Sequence, residues 1–392
     1  TNTNSYTGGT TITTGSTLQV GNGGTTGTLG TGAITNDGVL AYNFVSIGIN
    51  HTVTDTISGT GSLNVIGGGI ILTGTNTYSG TTTIAANSGL AIGNHTSTGT
   101  LGTGAVVNGG ELVVARTNRH VISNDISGSG ALRQRGNGTA VLTGTNTYTG
   151  ATTIDFGRTL QVGDGGTTGT LGTGAVTNNG TLAFDRTDSH VVSNAITGSG
   201  SLTQTGGGTL ILTGANGYTG PTTIAAGSTL QLGNGGTTGS LGSGAVTNNG
   251  VLTVNRNTLG GPLTLANAIG GTGSLNVVSG GVTLTGANTY GGTTTIGPSG
   301  GIQVGAGGTT GSLGTGALAN HGLLYLNRSD THVVPNAISG SGELRQLGTG
   351  TAILTGNNTR TGVTAIDSGR TLQVGDGGTT GTLGSGVVNN AG

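Results

Sequence analysis

The sequence predicts an all-β fold, a parallel β-helix in which short strands stack turn upon turn into a solenoid. Three observations support this prediction. Glycine supplies 89 of the 392 residues, apolar residues come in short runs between turn-forming residues, and the same pattern recurs along the whole chain. Glycine loses more backbone entropy on folding than any other residue. A chain this rich in glycine therefore needs many cooperative backbone hydrogen bonds, and a ladder of stacked strands supplies them.

The composition excludes several other classes of protein. Charged residues make up 6% of the chain and the net charge is −1, whereas disordered chains combine low hydrophobicity with high net charge. With only 4 prolines and no glycine at every third position, the chain is not collagen. The 11 basic residues are all arginine and form no basic stripe, so no nucleic-acid partner is expected. The chain contains no run of about 20 apolar residues that would span a bilayer as a helix.

The strands are predicted from short runs rich in β-branched residues and bounded by Gly, Asn, Thr and Asp. Examples are Leu210–Leu212, Thr229–Leu232, Ala245–Val246 and Val251–Val254. No window has apolar residues at the spacing of a helix face, so helices should be rare. Closely spaced strands fit either a sandwich or a parallel β-helix, and repetition over hundreds of residues favours the β-helix.

The chain is a tandem repeat with a period of about 70–72 residues. The segment LTG-x-N-x-Y-x-G marks each repeat, and the repeats end near Tyr6, Tyr78, Tyr148, Tyr218, Tyr290 and Arg360. Three repeats form a 212-residue super-repeat, in which Tyr218 is equivalent to Tyr6 and Tyr290 to Tyr78. Turns of about 20–24 residues would place about three rungs in each repeat. We expect residues 1–392 to form one continuous solenoid segment of a longer protein, because both ends fall inside a repeat.

One stretch resembles a known family. GTLILTGANGYTGPTTIAAGSTLQLGNGG, from Gly208 to Gly236, is similar to the autotransporter-associated β-strand repeat, also called the passenger-associated transport repeat. The resemblance implies a right-handed parallel β-helix in the secreted passenger of a Gram-negative surface protein. In that family a C-terminal barrel in the outer membrane translocates the passenger. The resemblance therefore implies an extracellular, cell-surface location, with membrane contact only through a barrel or anchor outside this segment.

The most conspicuous charged motif is R-[TS]-[ND]-x-H, which occurs in three repeats. Its candidate contact residues are Arg116, His120, Arg186, Asp188, His190, Arg328, Asp330 and His332. One interpretation is a surface contact repeated for a ligand; the other is a polar turn at one corner of the solenoid. The first and fourth repeats carry NFVSIGINH and NRNTLGGPL in its place.

No catalytic, cofactor or metal site is predicted. The 12 acidic residues are scattered, whereas an enzyme acting on polysaccharides needs one crowded cleft of carboxylates. Successive histidine motifs would lie about 14 Å apart or more along a stack of strands, too far to share a zinc ion. GNGGTTG lacks the lysine and the following helix of a phosphate loop. The repeated tyrosines could be exposed carbohydrate platforms, but packing with a hydroxyl hydrogen bond is the commoner role.

The sequence therefore favours a structural or adhesive stalk or fibre segment of a bacterial surface protein. Such a segment would act as a rigid multivalent rod that binds a host or glycan surface weakly but many times. Self-association into fibres or bundles is a further expectation, because open strand edges can pair. The alternatives are a polysaccharide-acting β-helix enzyme and an ice-binding solenoid. Ice binding would need Thr-x-Thr ladders, but TTT recurs only once in a repeat, as at Thr81–Thr83.

Overall fold

The computed structural model describes residues 2–45, 51–257 and 261–392. Strands and turns make up the described residues, which contain no helix, and every strand pairing is parallel. The chain divides into two compact bodies, one of Thr1–Arg186 with Asn194–Gly200 and one of Thr187–Ser193 with Ser201–Gly392. In each body the strands stack as a β-solenoid. The predicted all-β parallel solenoid is confirmed.

The first body contains all but one of the first 22 strands. They are β1 (Thr10–Ile12), β2 (Thr17–Gly24), β3 (Ile34–Asn36), β4 (Val39–Phe44), β5 (His51–Val53), β6 (Ile57–Ser58), β7 (Ser62–Gly67), β8 (Gly69–Leu72), β9 (Thr82–Ile84), β10 (Gly89–Thr96), β11 (Val106–Asn108), β12 (Glu111–Arg116), β13 (His120–Ile122), β14 (Ile126–Ser127), β15 (Ala131–Gln134), β16 (Thr139–Leu142), β17 (Thr152–Ile154), β18 (Thr159–Gly166), β19 (Val176–Asn178), β20 (Thr181–Arg186) and, after the intervening β21 (Ser189–Val192) of the second body, β22 (Ile196–Thr197).

The second body contains β21 and the remaining strands. They are β23 (Ser201–Gln204), β24 (Thr209–Leu212), β25 (Thr222–Ile224), β26 (Thr229–Leu232), β27 (Val246–Asn248), β28 (Val251–Asn255), β29 (Leu263–Leu265), β30 (Ile269–Gly270), β31 (Ser274–Leu284), β32 (Thr294–Val304), β33 (Leu318–Asn320), β34 (Leu323–Leu326), β35 (His332–Val334), β36 (Ile338–Ser339), β37 (Glu343–Gln346), β38 (Thr351–Leu354), β39 (Thr364–Ile366), β40 (Thr371–Val374) and β41 (Val388–Asn390).

Strands that follow one another in a sheet are one turn apart in sequence. In the first body the longest sheet has the order β22-β19-β17-β15-β12-β10-β8-β5, and a second has the order β14-β11-β9-β7-β4-β2. In the second body the longest path is β21-β24-β26-β28-β31-β32-β34-β37-β39-β41. Each strand skipped in such a path belongs to another side of the same turn, which is the topology of a solenoid.

A repeat makes three turns and part of a fourth. In the first body Leu72 pairs with Ile92, Ile92 with Val114 and Val114 with Gln134, so three turns lead from Leu72 to Gln134. The counterpart of Leu72 in the next repeat is Leu142, which lies beyond Gln134 and in a different sheet. The segment between them carries the chain about one third of a turn onto the next side. The expected value of about three rungs is confirmed, and the structure adds this offset.

Columns of small aliphatic side chains form the core. Alternate residues of a strand point inward, and equivalent positions in neighbouring turns stack directly on one another. One such column comprises Ile70, Leu90, Leu112 and Leu132, none of which is exposed to solvent. Each fully buried side chain of this kind contributes roughly 1.5–3 kcal/mol to folding. The stacking thus covers the apolar face that no single turn could bury alone.

Close stacking of the turns requires glycine at many corners. Some of these glycines adopt a left-handed backbone, such as Gly157, with φ of 71°. Gly102 does not adopt a positive φ, yet a Cβ atom on it would lie 2.2 Å from the carbonyl oxygen of Tyr78. A side chain there would collide with the turn before it. The glycine content therefore also reflects the distance between turns.

Candidate functional site

The repeated tyrosine is a buried packing residue at four positions, whereas Tyr6 is exposed. Tyr78, Tyr148, Tyr218 and Tyr290 have no exposed surface. The Tyr148 hydroxyl lies 2.7 Å from the Thr152 hydroxyl, and the other three make the same contact. Burial raises the pKa of the Tyr148 hydroxyl, so the side chain stays neutral. The predicted packing role is confirmed, and these tyrosines are not available as carbohydrate platforms.

In four repeats a buried asparagine two residues before the tyrosine, or before Arg360, links three turns. The Asn146 side-chain oxygen accepts a hydrogen bond from the Ile126 amide at 3.0 Å, one turn earlier. Its Nδ2 donates to the Thr170 carbonyl at 2.7 Å, one turn later. Asn76, Asn288 and Asn358 make the same pair of contacts. The side chain therefore replaces a missing piece of the backbone ladder at the corner.

The arginines of the R-[TS]-[ND]-x-H motif hold a neighbouring loop of their own repeat. The Arg328 guanidinium donates to the Gly311 carbonyl at 2.7 Å and to the Thr309 carbonyl at 2.5 Å. Arg116 donates to Gly99 and Ser97, and Arg186 to Gly169 and Thr167, which are the equivalent carbonyls. A planar guanidinium with donors on two nitrogens suits two carbonyls of one loop. These arginines thus fix the glycine-rich loops of the GNGGTTG type.

Two further residues occupy the arginine position in repeats that lack the motif. Arg256 donates to the carbonyls of Gly239 and Thr237, so it clamps its loop as Arg328 does. In the first repeat Phe44 stands at this position, and its ring lies against Gly21. Sequence reasoning missed both residues because it searched for the whole motif. Arg256 lies one repeat after Arg186, and this spacing is the signal that would have identified it. Residues 46–50 and 258–260 of the two divergent segments lie outside the described residues.

The acidic members of the motif lie at the surface. Asp330 pairs with Arg328, with oxygen–nitrogen distances of 2.6 Å and 2.9 Å, and the Arg328 hydrogen bond lowers the pKa of that carboxyl. Arg116 bonds Asn118 in the same way at 3.0 Å. The structure therefore brings Arg328 and Asp330 together as one corner turn. Asp188 precedes β21 in the second body.

The histidines of the motif lie at the start of short strands, first in β13 and β35 and second in β21. His120 and His190 are half-buried, and His332 is only 8% exposed. Desolvation, assisted by the Arg116 charge, lowers the pKa of His120 to about 4. Burial likewise lowers the pKa of His332, whose two ring nitrogens have no hydrogen-bond partner in the part of the chain that the structure describes. His332 and Arg328 border a cavity of about 200 Å³.

The arginines already donate to loop carbonyls, burial lowers the pKa of His120 and His332, and all three histidines are partly covered. A repeated ligand contact by Arg116, His120, Arg186, Asp188, His190, Arg328, Asp330 and His332 stays a prediction. Among the described residues no group of three or more His, Cys, Asp and Glu side chains is placed to hold a metal ion.

A separate groove lies on the outer side of the second body. It has a volume of about 330 Å³ and is lined by Pro262, Pro298, Gln303, Leu323 and Tyr325 over a floor that includes Gly281 and Gly301. Gly281 pairs with Gly301, and Gly301 with Leu323, so the floor crosses neighbouring turns. The sequence offered no indication of this groove, because it forms where side chains are absent.

Comparison with known proteins identifies one family. The model of the passenger-associated-transport-repeat family matches residues 1–20, 58–86, 132–162, 202–232 and 344–374. No curated protein and no solved structure matches the chain. None of the described residues forms a helix with the length and apolar character needed to cross a membrane. Each matched segment contains the tyrosine turn or, at Arg360, its counterpart. Five segments spread along the chain are thus passenger-associated-transport repeats, consistent with the repeats of autotransporter passengers.

Proposed function

We propose that this chain is a structural and adhesive segment of an extracellular passenger on a Gram-negative cell surface. It serves as a stiff stalk or fibre that presents the same surface features many times, and not as an enzyme. The proposal rests on the passenger-associated-transport repeats together with the way that these repeats are fastened. In most of these repeats a corner Asn and a loop-binding Arg join one turn to the next.

The side-chain hydrogen bonds between neighbouring turns are the observation that supports the proposal. Asn146 alone connects its own turn to Ile126 before it and to Thr170 after it. The Arg328 clamp uses a charged side chain to hold backbone carbonyls of a loop. Polar groups that an enzyme would direct into a cleft are committed here to main-chain contacts. Such a structure resists deformation and repeats its outer surface along the chain, which suits weak multivalent attachment.

Surface display tests this proposal. The chain is fused between an export signal and an outer-membrane anchor and displayed on Gram-negative cells, with the empty anchor as control. We expect displayed cells to adhere to polysaccharide-coated surfaces, or to each other, more strongly than control cells. When the super-repeat is duplicated, adhesion should increase by more than the number of repeats does, because the added contacts act together.

Three outcomes would contradict the proposal. Displayed cells could adhere no better than cells with the empty anchor. The chain could release new reducing ends from polysaccharides, which would support a β-helix enzyme. It could instead inhibit ice recrystallisation, which would support an ice-binding solenoid.

A further inference from the structure

We propose that the groove over Gly281 and Gly301 binds one sugar ring of an uncharged polysaccharide. This inference deepens the proposed adhesive function, on which it rests, by naming the class of ligand. The argument depends on three features of the groove: why its floor is bare, what its walls offer, and which charges it lacks.

The floor of the groove carries no side chains, although the backbone conformation does not require glycine there. Neither Gly281 nor Gly301 has a positive φ. A Cβ atom on Gly281 would meet the Pro262 Cβ at 3.3 Å, and one on Gly301 would meet the Leu323 Cβ at 3.6 Å. These contacts are tight at the first position and ordinary at the second, so small side chains fit with slight adjustment. Steric exclusion therefore does not explain the two glycines.

Three other repeats carry threonine at both positions, whereas the repeat one super-repeat earlier pairs Gly69 with Gly89 and has Glu111 in place of Leu323. Thr209 pairs with Thr229 in the equivalent place of the repeat before, and the pairs Thr139–Thr159 and Thr351–Thr371 are arranged likewise. Glycine within a strand costs roughly 0.5–1 kcal/mol relative to alanine. It often marks a place where a ligand approaches the backbone closely. The groove is thus the space that two threonine side chains fill elsewhere.

The walls combine apolar surface with uncommitted polar groups. Pro262 and Leu323 offer hydrocarbon surface, and Tyr325 adds a half-exposed aromatic side chain where the preceding repeat has Thr253. The hydroxyls of Tyr325 and Ser299 make no hydrogen bond to the described part of the chain. Gln303 donates its Nε2 to the Gly305 carbonyl at 2.9 Å, which leaves its side-chain oxygen able to accept.

A neutral sugar ring matches this combination. A pyranose presents a face of C–H groups to an aromatic or apolar wall and hydroxyls at its edge to polar groups. A purely hydrocarbon occupant would leave the hydroxyls and the Gln303 oxygen without partners. A uronic acid would find no opposite charge in the groove itself, because no charged side chain lines it, and the neighbouring Arg345 is paired with Asp367. The volume of about 330 Å³ lies at the small end of ligand sites, as expected for a single ring.

Binding of defined oligosaccharides to the purified 392-residue chain tests the inference. Maltohexaose, cellohexaose and chitohexaose serve as neutral probes, hexagalacturonate as the charged probe and anilinonaphthalene sulfonate as the apolar probe. Saturation-transfer NMR and calorimetry measure binding. We expect at least one neutral hexasaccharide to bind, with affinity in the millimolar range or tighter.

The decisive variant fills the groove with residues that the fold already accepts. Gly281→Thr with Gly301→Thr reproduces the Thr209–Thr229 pair and should weaken binding at least about tenfold without changing the circular dichroism spectrum. Tyr325→Ala should weaken binding as well, and Tyr325→Phe should weaken it less. Thr209→Ser with Thr229→Ser is the matched control in the preceding repeat and should have no effect.

The inference is overturned if no neutral probe binds, if the filled variant binds as well as the native chain, or if either of the other probes binds more tightly than every neutral one. These results would leave the adhesion of displayed cells unchanged, because that adhesion can use other surfaces. Loss of adhesion with intact sugar binding would instead contradict the proposed function.

Discussion

At the scale of single residues, the fifth repeat contains an arginine where the others bury a tyrosine. Arg360 is fully buried and donates to the Thr364 hydroxyl and to the carbonyls of Gly342 and Val363. Its Nε has no partner among the described residues, and desolvation lowers its pKa. Removing a charge from water costs several kcal/mol unless its environment compensates fully. This position is therefore a weak point of the repeat.

Arg360→Tyr should stabilise the protein. The substitution restores the side chain that packs in the other four turns and replaces a buried charge by a hydroxyl facing Thr364. We expect the free energy of unfolding in urea to rise by about 1–3 kcal/mol. Tyr148→Phe provides the comparison and should lose about 1 kcal/mol with its hydroxyl contact. An unchanged or lower stability for Arg360→Tyr would show that the local packing is adapted to arginine.

His120 should make the native state sensitive to acid. Its pKa in the folded protein is lowered to about 4 from an ordinary value of 6.5. Between these values the unfolded chain binds a proton that the folded chain does not, so stability falls as the pH decreases from 6.5 towards 4. On going from about pH 7 to pH 4.5, the free energy of unfolding of His120→Asn should therefore fall by about 1 kcal/mol less than that of the native chain. This value is set low because His120 is partly exposed.

Urea unfolding at the two pH values measures this effect. His95→Asn is the matched control, because His95 is exposed and asparagine tolerates its positive φ of 55°. Parallel pH profiles for His120→Asn and the native chain would rule out His120 as the source of acid sensitivity.

At the scale of elements, the corner asparagine decides whether adjacent turns stay joined. Asn146→Ala leaves the Ile126 amide and the Thr170 carbonyl without their partners inside the structure. Each orphaned buried group costs about 1–3 kcal/mol, so we expect a loss of about 2–4 kcal/mol. Hydrogen exchange should accelerate at Ile126 and in the turn around Thr170 before it does elsewhere.

The exposed Asn137 provides the control for this prediction. Asn137→Ala should change the free energy of unfolding by less than about 0.5 kcal/mol. If Asn146→Ala proved equally harmless, the three-turn bridge would have no energetic importance, and the strands alone would carry the stability.

Much of the element pattern could be predicted from the sequence, since strands and tyrosine turns repeat visibly. The buried role of Tyr148 follows from one aromatic residue in each repeat next to a hydroxyl partner. The role of Arg328 could not be foreseen, because its acceptors are backbone carbonyls of a glycine-rich loop and carry no sequence signature. The groove over Gly281 and Gly301 was hidden for a related reason, since glycine at an outward strand position resembles glycine at a turn until the register is known.

At the scale of the whole molecule, the length of one sequence repeat is not a whole number of solenoid turns. In the second body Val282 pairs with Ile302, Ile302 with Leu324 and Leu324 with Leu344, so three turns end at Leu344. The counterpart of Val282 in the next repeat is Ala352, which lies beyond Leu344 and in another sheet. In a solenoid built this way each repeat ends about a third of a turn beyond its start, and three repeats amount to about ten whole turns. The super-repeat is then the shortest block that contains both whole repeats and whole turns.

The mismatch between the repeat length and a whole number of turns predicts which deletions the fold tolerates. The repeat deletion removes residues 78–147, one whole repeat, and joins Thr77 to Tyr148. Thr77 and Thr147 donate to equivalent carbonyls, those of Ile57 and Ile126, so the new junction has native neighbours on both sides. The turn deletion removes residues 73–134, which make three geometric turns. Leu72 then takes the place of Gln134, which lies three turns later in the same sheet. However, the deletion joins the strand of Leu72 to Arg135, which belongs to a different part of the repeat.

We expect the repeat deletion to retain the midpoint of thermal unfolding within a few degrees and the turn deletion to lower it by more than about 10 °C. The reason is that turns are held by specific side chains, each of which needs its partner at a fixed distance along the sequence. Asn146, for example, must meet Ile126 and Thr170. Thermal unfolding followed by circular dichroism compares the two. Equal midpoints would mean that the backbone ladder alone sets the stability, and that the sequence repeat is only a record of gene duplication.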